Sequence, residues 1–389
     1  MSIQNTHIEV NLKNLEHNLN FLRKKISEKT KILCVVKAFG YGSEPVEIAK
    51  KLEENKVDYL AVAYSNEGVE LRKSGITSPI LVLHPQRDDF DDIIKHKLEP
   101  NIYSFRVLDA FIERSKNEKE YPFHRVCGEY ISNEVIPFLK FHDLFPEELN
   151  PTKIDMLQIS SLSGRSFTQE LPLGGFGISR YSYDHWLAQK AKNLGVTVIE
   201  KCSAKEVNYQ ENKFLVKTNP ADLTSKLLIG AHSKRSSLDK QFNRSYLNRK
   251  SPFVGIKYHI ETDLPSRMIS IHNFRKGYCG VSKVEGKKFN LCYLTHRDNI
   301  RNYGNIAAFE QQLILKNPHL NWIYKNSKFL FEDPLVINEI QFSEKTPFEN
   351  HILYSGDAAG TIAPLSGNGM ANAIRSAKML SEIILHHWS

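Results

Sequence analysis

The spacing of apolar residues changes along this chain, and the change divides it. In the first third, short apolar runs alternate with helical stripes. Leu12, Leu15, Leu19 and Leu22 recur at three- and four-residue steps, which predicts an amphipathic helix within 8–26, after a short strand starting at Ile8. Strand-like runs follow at 32–36, 58–62, 80–83 and 98–103, each succeeded by a helical pattern, at 45–52, 66–73, 88–94 and 106–114. Such alternation predicts a parallel sheet or barrel. From Tyr121 onward the repetition stops. A helix is expected around Glu134, Val135, Ile136 and Leu139. Another is expected over 182–194, where Trp186, Leu187, Ala191 and Leu194 share a face and Gly195 ends it, with a strand at 196–199 after it. Later runs at 253–260, 267–271, 278–281 and 289–294, split by turns such as Glu285-Gly286-Lys287, predict an antiparallel sheet with one exposed face.

The last apolar run, His351-Ile352-Leu353-Tyr354, ends in Ser355-Gly356-Asp357-Ala358-Ala359-Gly360. A turn through Pro364, Gly367, Asn368 and Gly369 then opens a helical pattern. Strand, tight turn and helix N-terminus in that order suit an anion or a polarised ring. Backbone N–H groups point outward there, and small residues admit a flat ligand closely. An ordinary strand–loop–helix crossover has the same spacing.

Composition narrows the classes. The 389 residues suffice for two or three domains, and no apolar run approaches the ~20 residues of a membrane span. The segment Met1-Ser2-Ile3-Gln4-Asn5-Thr6 lacks the marks of a secretory leader. Cys34, Cys127, Cys202, Cys279 and Cys292 are scattered, without metal-binding spacing, which fits a reducing cytoplasm and no metal site. The net charge of +8 gathers partly in Lys234-Arg235 and between Arg244 and Lys250, where it would steer an anionic substrate or cofactor. Basic residues are not interleaved with aromatics on one helix face, so no nucleic-acid partner is expected.

The chemistry of the first third lies at Val35-Val36-Lys37-Ala38-Phe39-Gly40-Tyr41-Gly42. A lysine ending the first strand of a βα-barrel points into the mouth that carries the site, and a desolvated lysine there can form a Schiff base. A surface lysine at a strand end is the alternative. Together with Ile8-Glu9-Val10-Asn11-Leu12, Asp58 to Tyr64, Glu67-Gly68 and Leu98 to Tyr103, this element resembles the N-terminal part of alanine racemase. That family has a pyridoxal-phosphate (PLP) barrel and a second β domain. The resemblance implies Lys37 as the residue joined to PLP and Tyr41 as its pocket neighbour. It stops near residue 118. The family's Asp-Thr-Gly-Met-x-Arg element, its phosphate and pyridine-nitrogen contacts and its catalytic tyrosine have no counterpart here, which leaves half a barrel with an open edge.

The remainder resembles the FAD-dependent oxidoreductases of the geranylgeranyl-reductase and aromatic-hydroxylase group. Four elements carry this: Arg125-Val126-Cys127-Gly128-Glu129, Ile178-Ser179-Arg180, Leu228 to Ser236, and Gly356 to Asn372. The third has His232-Ser233 where that group usually has Asp-Gly. The resemblance implies that Gly356, Asp357 and Gly360 meet the ribityl and pyrophosphate region of FAD. Pro364, Gly367, Asn368 and Gly369 would lie by the flavin ring, where the helix dipole favours negative charge. Arg125 and Arg180 would lie along the cofactor, and Cys127, Gly128 and Glu129 near the ring. The arginines read alternatively as ion-pair partners, and Cys127 as a small buried hydrophobe. The Gly-x-Gly-x-x-Gly fingerprint that grips the diphosphate is not present in this sequence; Gly40-Tyr41-Gly42 lacks its third glycine.

The expected architecture is therefore α/β. A partial PLP-type βα-barrel (1–120) precedes an incomplete FAD/NAD(P)-binding Rossmann-like region (121–240 and 345–389) with an antiparallel substrate sheet (250–340). The two resemblances meet at 118–124, so the chain reads as a fusion. The leading functional expectation is an FAD-dependent reductase or monooxygenase that binds its cofactor weakly, with NAD(P)H as electron donor and a small-molecule substrate. A Lys37-dependent racemase-like protein is the second, and a fusion with neither activity the third.

Overall fold

The computed structural model describes residues 9–104, 107, 108, 111, 120–219, 221–234, 236–248, 251–342 and 344–387. Outside these fall the segment 1–6 and the strand start at Ile8, most of the helical pattern at 106–114, Glu118 and Lys119 of the junction, and Arg235, Arg249 and Lys250 of the basic clusters. The chain divides into two compact units, Met1–Lys119 and Glu120–Ser389.

In the first unit, α1 (Leu12–Arg23) is capped by the Asn11 side chain. Residues 9–11 form no strand, contrary to expectation: Asn11 is committed to the cap, and its carboxamide oxygen accepts from Lys13 N and Asn14 N. Then β1 (Leu33–Val35), β2 (Tyr59–Val62), β3 (Ile80–Val82) and β4 (Glu99–Pro100) alternate with α2 (Pro45–Glu54), α3 (Ser65–Lys73) and α4 (Phe90–Lys95). The strands form a four-stranded sheet in the order β1-β2-β3-β4, and every pair is parallel. Val36, Leu60, Val62, Ile80 and Val82 point to the helical side and form its core with Leu52, Leu71, Phe90 and Ile93. Alternate residues Leu33 and Val35 remain exposed on the other face. This is the strand–helix succession of half a barrel, with β1 and β4 as edges among the described residues.

The second unit is built on a nine-stranded sheet. Its members are β5 (Tyr130–Ser132), β6 (Thr152–Ser160), β7 (Ser166–Gly177), β12 (Phe253–Glu261), β13 (Met268–Phe274), β14 (Gly277–Lys283), β15 (Lys288–His296), β16 (Lys328–Phe329) and β17 (Leu335–Asn338). The order is β16-β12-β15-β14-β13-β6-β7-β5, with β17 also on β12; β6 joins β13 in parallel, and the other pairs are antiparallel. The hairpin β6–β7 thus belongs to the same sheet as the 250–340 strands. A small antiparallel sheet holds β8 (Ser203–Gln210), β9 (Lys213–Asn219) and β10 (Leu223–Ser225). A third sheet pairs β11 (Ile229–Gly230) in parallel with β19 (Ile352–Tyr354), with β18 (Phe348–Glu349) on the far side. Helices of this unit are α5 (Ile136–Phe141), α6 (Arg180–Asn193), α7 (Ser237–Gln241), α8 (Arg297–Tyr303), α9 (Ile306–Gln312), α10 (Pro318–Asn326) and α11 (Gly369–His387).

Two expectations fail here. Residues 196–199 form no strand, and Val196 and Ile199 lie exposed, without a strand partner among the described residues. The large sheet does not keep one exposed face at β12: residues Val254 to Ile260 are all buried. Val254, Ile256, Tyr258 and Ile260 pack against Phe309, Leu313, Leu320 and Ile323 of the α9–α10 region. Lys257 and His259 point the other way, into the segment 124–129.

Candidate functional site

Each unit carries one cluster of polar side chains: at the end of β1 and β2 in the first, and on the face of β12 and β15 in the second. In the first, β1 runs into Lys37, which is half-buried. Ala38, Phe39, Gly40 and Tyr41 then all adopt left-handed backbone, with φ of 52, 55, 59 and 58°. Only Gly40 does so without steric cost. The turn is held from outside. One oxygen of Glu67 accepts from Ala38 N at 2.6 Å, and the other from Ala63 N at 2.7 Å and Tyr64 N at 3.1 Å. The Glu67 carboxylate therefore locks the end of β1 to the end of β2. Tyr41 is 65% exposed.

In the second unit, the segment Arg125–Glu129 crosses the face of β12 and β15. Glu129 takes φ of 54° and is fully buried. Its carboxylate accepts from Lys257 Nζ at 2.5 Å, from His259 Nε2 at 2.6 Å and from the backbone N of Arg180 at 2.8 Å. Burial pushes its pKa up, but the Lys257 ammonium and the His259 bond outweigh that and hold the carboxyl below its ordinary range. Lys257 also donates to Arg125 O at 3.0 Å, and Asn290 to the carbonyls of Cys127 and Gly128. Arg125 and Arg180 converge on one carboxylate, that of Asp184, at 3.0 Å and 2.5 Å. Burial opposes the Arg180 charge, yet Asp184, with Cys127 behind it, raises its pKa above the ordinary value. The ion-pair reading of both arginines is what the contacts display.

His124 stacks on Tyr181 at 4.4 Å and meets the edge of His259 at 5.2 Å. Burial, reinforced by the neighbouring His259 and Lys257, pushes it down to about 4. His124 Nδ1 and Asn290 Oδ1 are buried without hydrogen-bond partners among the described residues.

The Gly356–Gly369 stretch leaves β19 through a short helical turn, Gly356–Ala358, and a second, Pro364–Ser366, before α11. Ser376 of α11 ties the turn down, accepting from Gly356 N at 2.9 Å and meeting Ser355 Oγ at 2.9 Å. Lys345 donates to Asp357 O at 2.6 Å, and buried Arg244 to Ala358 O at 3.0 Å. The Asp357 carboxylate itself takes part in no hydrogen bond among the described residues. Gly360, Pro364 and Gly369 are exposed, Asn368 is half-buried, and a Cβ added at Gly128, Gly360 or Gly369 would meet open space. Gly367, at φ of 69°, lies against Tyr130, the neighbour of Glu129. Ala371 of α11 shares a core with Ile131 and Phe176. The structure thus brings the Arg125–Glu129 group and the α11 N-terminus together at Tyr130. His232, at the departure from the usual Asp-Gly, faces Asp239 at 3.7 Å.

The sequence reading missed Lys257, His259, Asp184 and Tyr130. A signal for the first two existed: a lysine and a histidine two residues apart inside an otherwise apolar strand must share the face away from the apolar core.

Comparison with known proteins accounts for both units. Residues 10–124 match the family "Alanine racemase, N-terminal domain". "Alanine racemase 2" of Bacillus subtilis is 51% identical over 76 residues, 20% of this chain and 19% of that protein. "Alanine racemase 2" of Caldanaerobacter subterraneus is 46% identical over 81 residues, 21% of each. The match thus spans only about a fifth of the length of these two racemases. Among solved structures, a flavoprotein/dehydrogenase from Cytophaga hutchinsonii superposes with a TM-score of 0.54 at 14% identity, covering 82% of this chain and 76% of the other. A geranylgeranyl bacteriochlorophyll reductase-like protein from Thermoplasma acidophilum gives 0.56 at 18% identity, covering 85% and 78%. CmlS, a flavin-dependent halogenase, gives 0.57 at 14% identity, covering 85% and 58%. The N-terminal third resembles the opening part of alanine racemase, and the fold beyond it is that of FAD-dependent oxidoreductases. No described helix is long and apolar enough to cross a membrane.

Proposed function

We propose that this protein is a flavin-dependent oxidoreductase of the reductase or monooxygenase type that holds FAD mainly by its ring end. The observation carrying this is the meeting of the Gly356–Gly369 shelf with the Glu129 cluster at Tyr130. Bound flavin would supply hydride or electron transfer between NAD(P)H and a small unsaturated or aromatic substrate.

The residues fit that end of the cofactor. Gly128, Gly360 and Gly369 leave room for a flat ring against backbone, the Asp357 carboxylate is free to accept from hydroxyls, and His124 Nδ1 and Asn290 Oδ1 await partners. They do not fit the diphosphate end. β11 has no strand beside it other than β19 among the described residues, and the glycine-rich turn that would grip phosphates there is not in the sequence. Arg180 and Arg125 are engaged with Asp184, so their role is to brace the 124–129 segment. Glu129, ionised and fixed by Lys257 and His259, sets a rigid floor beside the shelf.

The test is flavin uptake by the full chain. After incubation with FAD and gel filtration, the protein should retain a flavin spectrum that bleaches with dithionite, and Gly369→Val should reduce retention. A colourless protein that takes up no flavin at millimolar concentration refutes the reading.

A second reading, PLP binding at Lys37, is supported by the racemase match over 10–124. Lys37 and its strained turn are in place, but the phosphate and pyridine-nitrogen contacts of that family have no counterpart in this sequence. The chain has the nucleophile without the clamp, and no racemisation step is derived from it. A visible PLP band abolished by Lys37→Ala would favour this reading instead.

A further inference from the structure

The nine-stranded sheet has a cavity on the face opposite the Glu129 cluster. Register fixes the side. His259 pairs with Asn290 on the cluster face, whereas Ile260 pairs with Phe289 on the other. Through β14, Phe289 and Val281 share that second face with Ser270 and His272, and through β13 with Gln158 and Ser160. Between this face and α10 lies a cavity of ≈ 190 Å³ whose walls include Met268, Val281, Phe289 and Trp322. It is slightly larger than the cavity of about 150 Å³ known to accept benzene.

Its polar groups are few and oriented. His272, 2% exposed, lines the cavity and binds Ser160 Oγ through Nδ1 at 2.9 Å. Ser160 Oγ accepts from Asn317 Nδ2 at 3.0 Å, and its own proton meets no acceptor other than His272 Nδ1 among the described residues, so the hydroxyl is satisfied only when it donates there. The His272 proton then sits on Nε2, which has no partner among the described residues. The ring is held flat against His319 at 5.0 Å and 10°, and His319 is itself tied to Gly164 O at 2.9 Å. Burial, with the neighbouring His319, pushes His272 down to about 4, so it is neutral at physiological pH and keeps a single N–H. Gln158 accepts from Ser270 through Oε1 at 3.3 Å, which leaves its amide N–H groups as a second donor. The cavity is thus a largely apolar slot with donors and without a carboxylate, lysine or arginine in its walls.

We propose that this slot binds a small uncharged single-ring aromatic molecule carrying one acceptor oxygen, with His272 Nε2 donating to that oxygen. The proposal does not depend on the flavin reading, since it uses the other face of the sheet and none of the same residues.

Acetophenone and ethylbenzene are matched probes, equal in ring and chain but differing in the carbonyl. Equilibrium dialysis against the full chain should give one acetophenone per chain, with ethylbenzene about fivefold to tenfold weaker. His272→Phe should bring the two probes to equal affinity, and Val281→Trp, which fills the slot, should abolish both. The probe comparison on the unmodified protein stands even where a variant fails to fold, and melting curves identify such a variant. Absence of saturable binding of either probe, equal affinity for both on the unmodified chain, or binding untouched in a folded Val281→Trp protein would each overturn the proposal.

Discussion

Replacing Glu129 by leucine should be among the most damaging single changes outside the apolar cores. The side chain is fully buried and accepts from three donors, Lys257 Nζ, His259 Nε2 and Arg180 N. Lys257 is equally buried, so the variant strands an ammonium in the interior, together with two further unpaired donors. Breaking one partner of a buried pair costs about 3–5 kcal/mol, whereas replacing both by apolar groups of similar volume is often close to neutral. Glu129→Leu and Lys257→Met should therefore each cost roughly 4 kcal/mol, and the double variant far less than their sum. With a urea dependence of about 3 kcal/mol/M for a unit this large, each single variant loses about 1–1.5 M in midpoint. The assay is urea denaturation followed by circular dichroism, arranged as a double-mutant cycle. Additive costs, or a Glu129→Leu loss below about 1 kcal/mol, would refute the account of the cluster as a coupled charge network.

Other outcomes follow from the same geometry. Arg244, 2% exposed, binds Asp239, Glu349, Thr346 O and Ala358 O and lies 3.9 Å over the Tyr354 ring. Arg244→Met should cost about 3–5 kcal/mol in thermal unfolding, and Arg244→Lys should not rescue it, because a lysine cannot reproduce the planar fork. His272 titrates near 4 in the native protein instead of 6.5. The unfolded chain takes up that proton first, so its contribution is complete above pH 6.5 and is lost as pH falls toward 4. The total is about 3 kcal/mol, and His272→Gln should flatten this part of the stability–pH curve. PLP added to the protein and fixed with borohydride should label Lys37, but without borohydride dialysis should remove it, since nothing in the sequence clamps the phosphate; PLP that survives dialysis would contradict that.

Much of the architecture was legible because periodicity is strong where burial is one-sided. The alternating runs located all four strands of the first unit, and the 250–296 strands appeared nearly at their observed bounds. The hairpin β6–β7 was harder to read: residues 166–173 are mostly exposed and alternate poorly, and the pairing of β6 with β13 joins segments over a hundred residues apart. Residues 196–199 have the apolar alternation of a strand, but strand formation requires a neighbour, and no described strand pairs there. In the candidate site, Arg125, Glu129 and Arg180 were named from resemblance, while Asp184, which binds both arginines, was not. Its i,i+4 spacing from Arg180 is a local mark of that pair, but its bond to Arg125, 59 residues away, has none. Nor does the sequence reveal that Gly367 faces Tyr130, a contact between turns far apart in the chain.

A flavin site with a ring-facing part and no diphosphate grip should distinguish riboflavin from FAD only weakly. Affinity for riboflavin and for FAD, measured side by side by fluorescence titration of the full chain, tests it directly. Saturable binding of both is expected, with dissociation constants within about tenfold, because the adenosine diphosphate half finds few partners. FAD binding a thousandfold tighter than riboflavin would reveal a complete nucleotide site and contradict it.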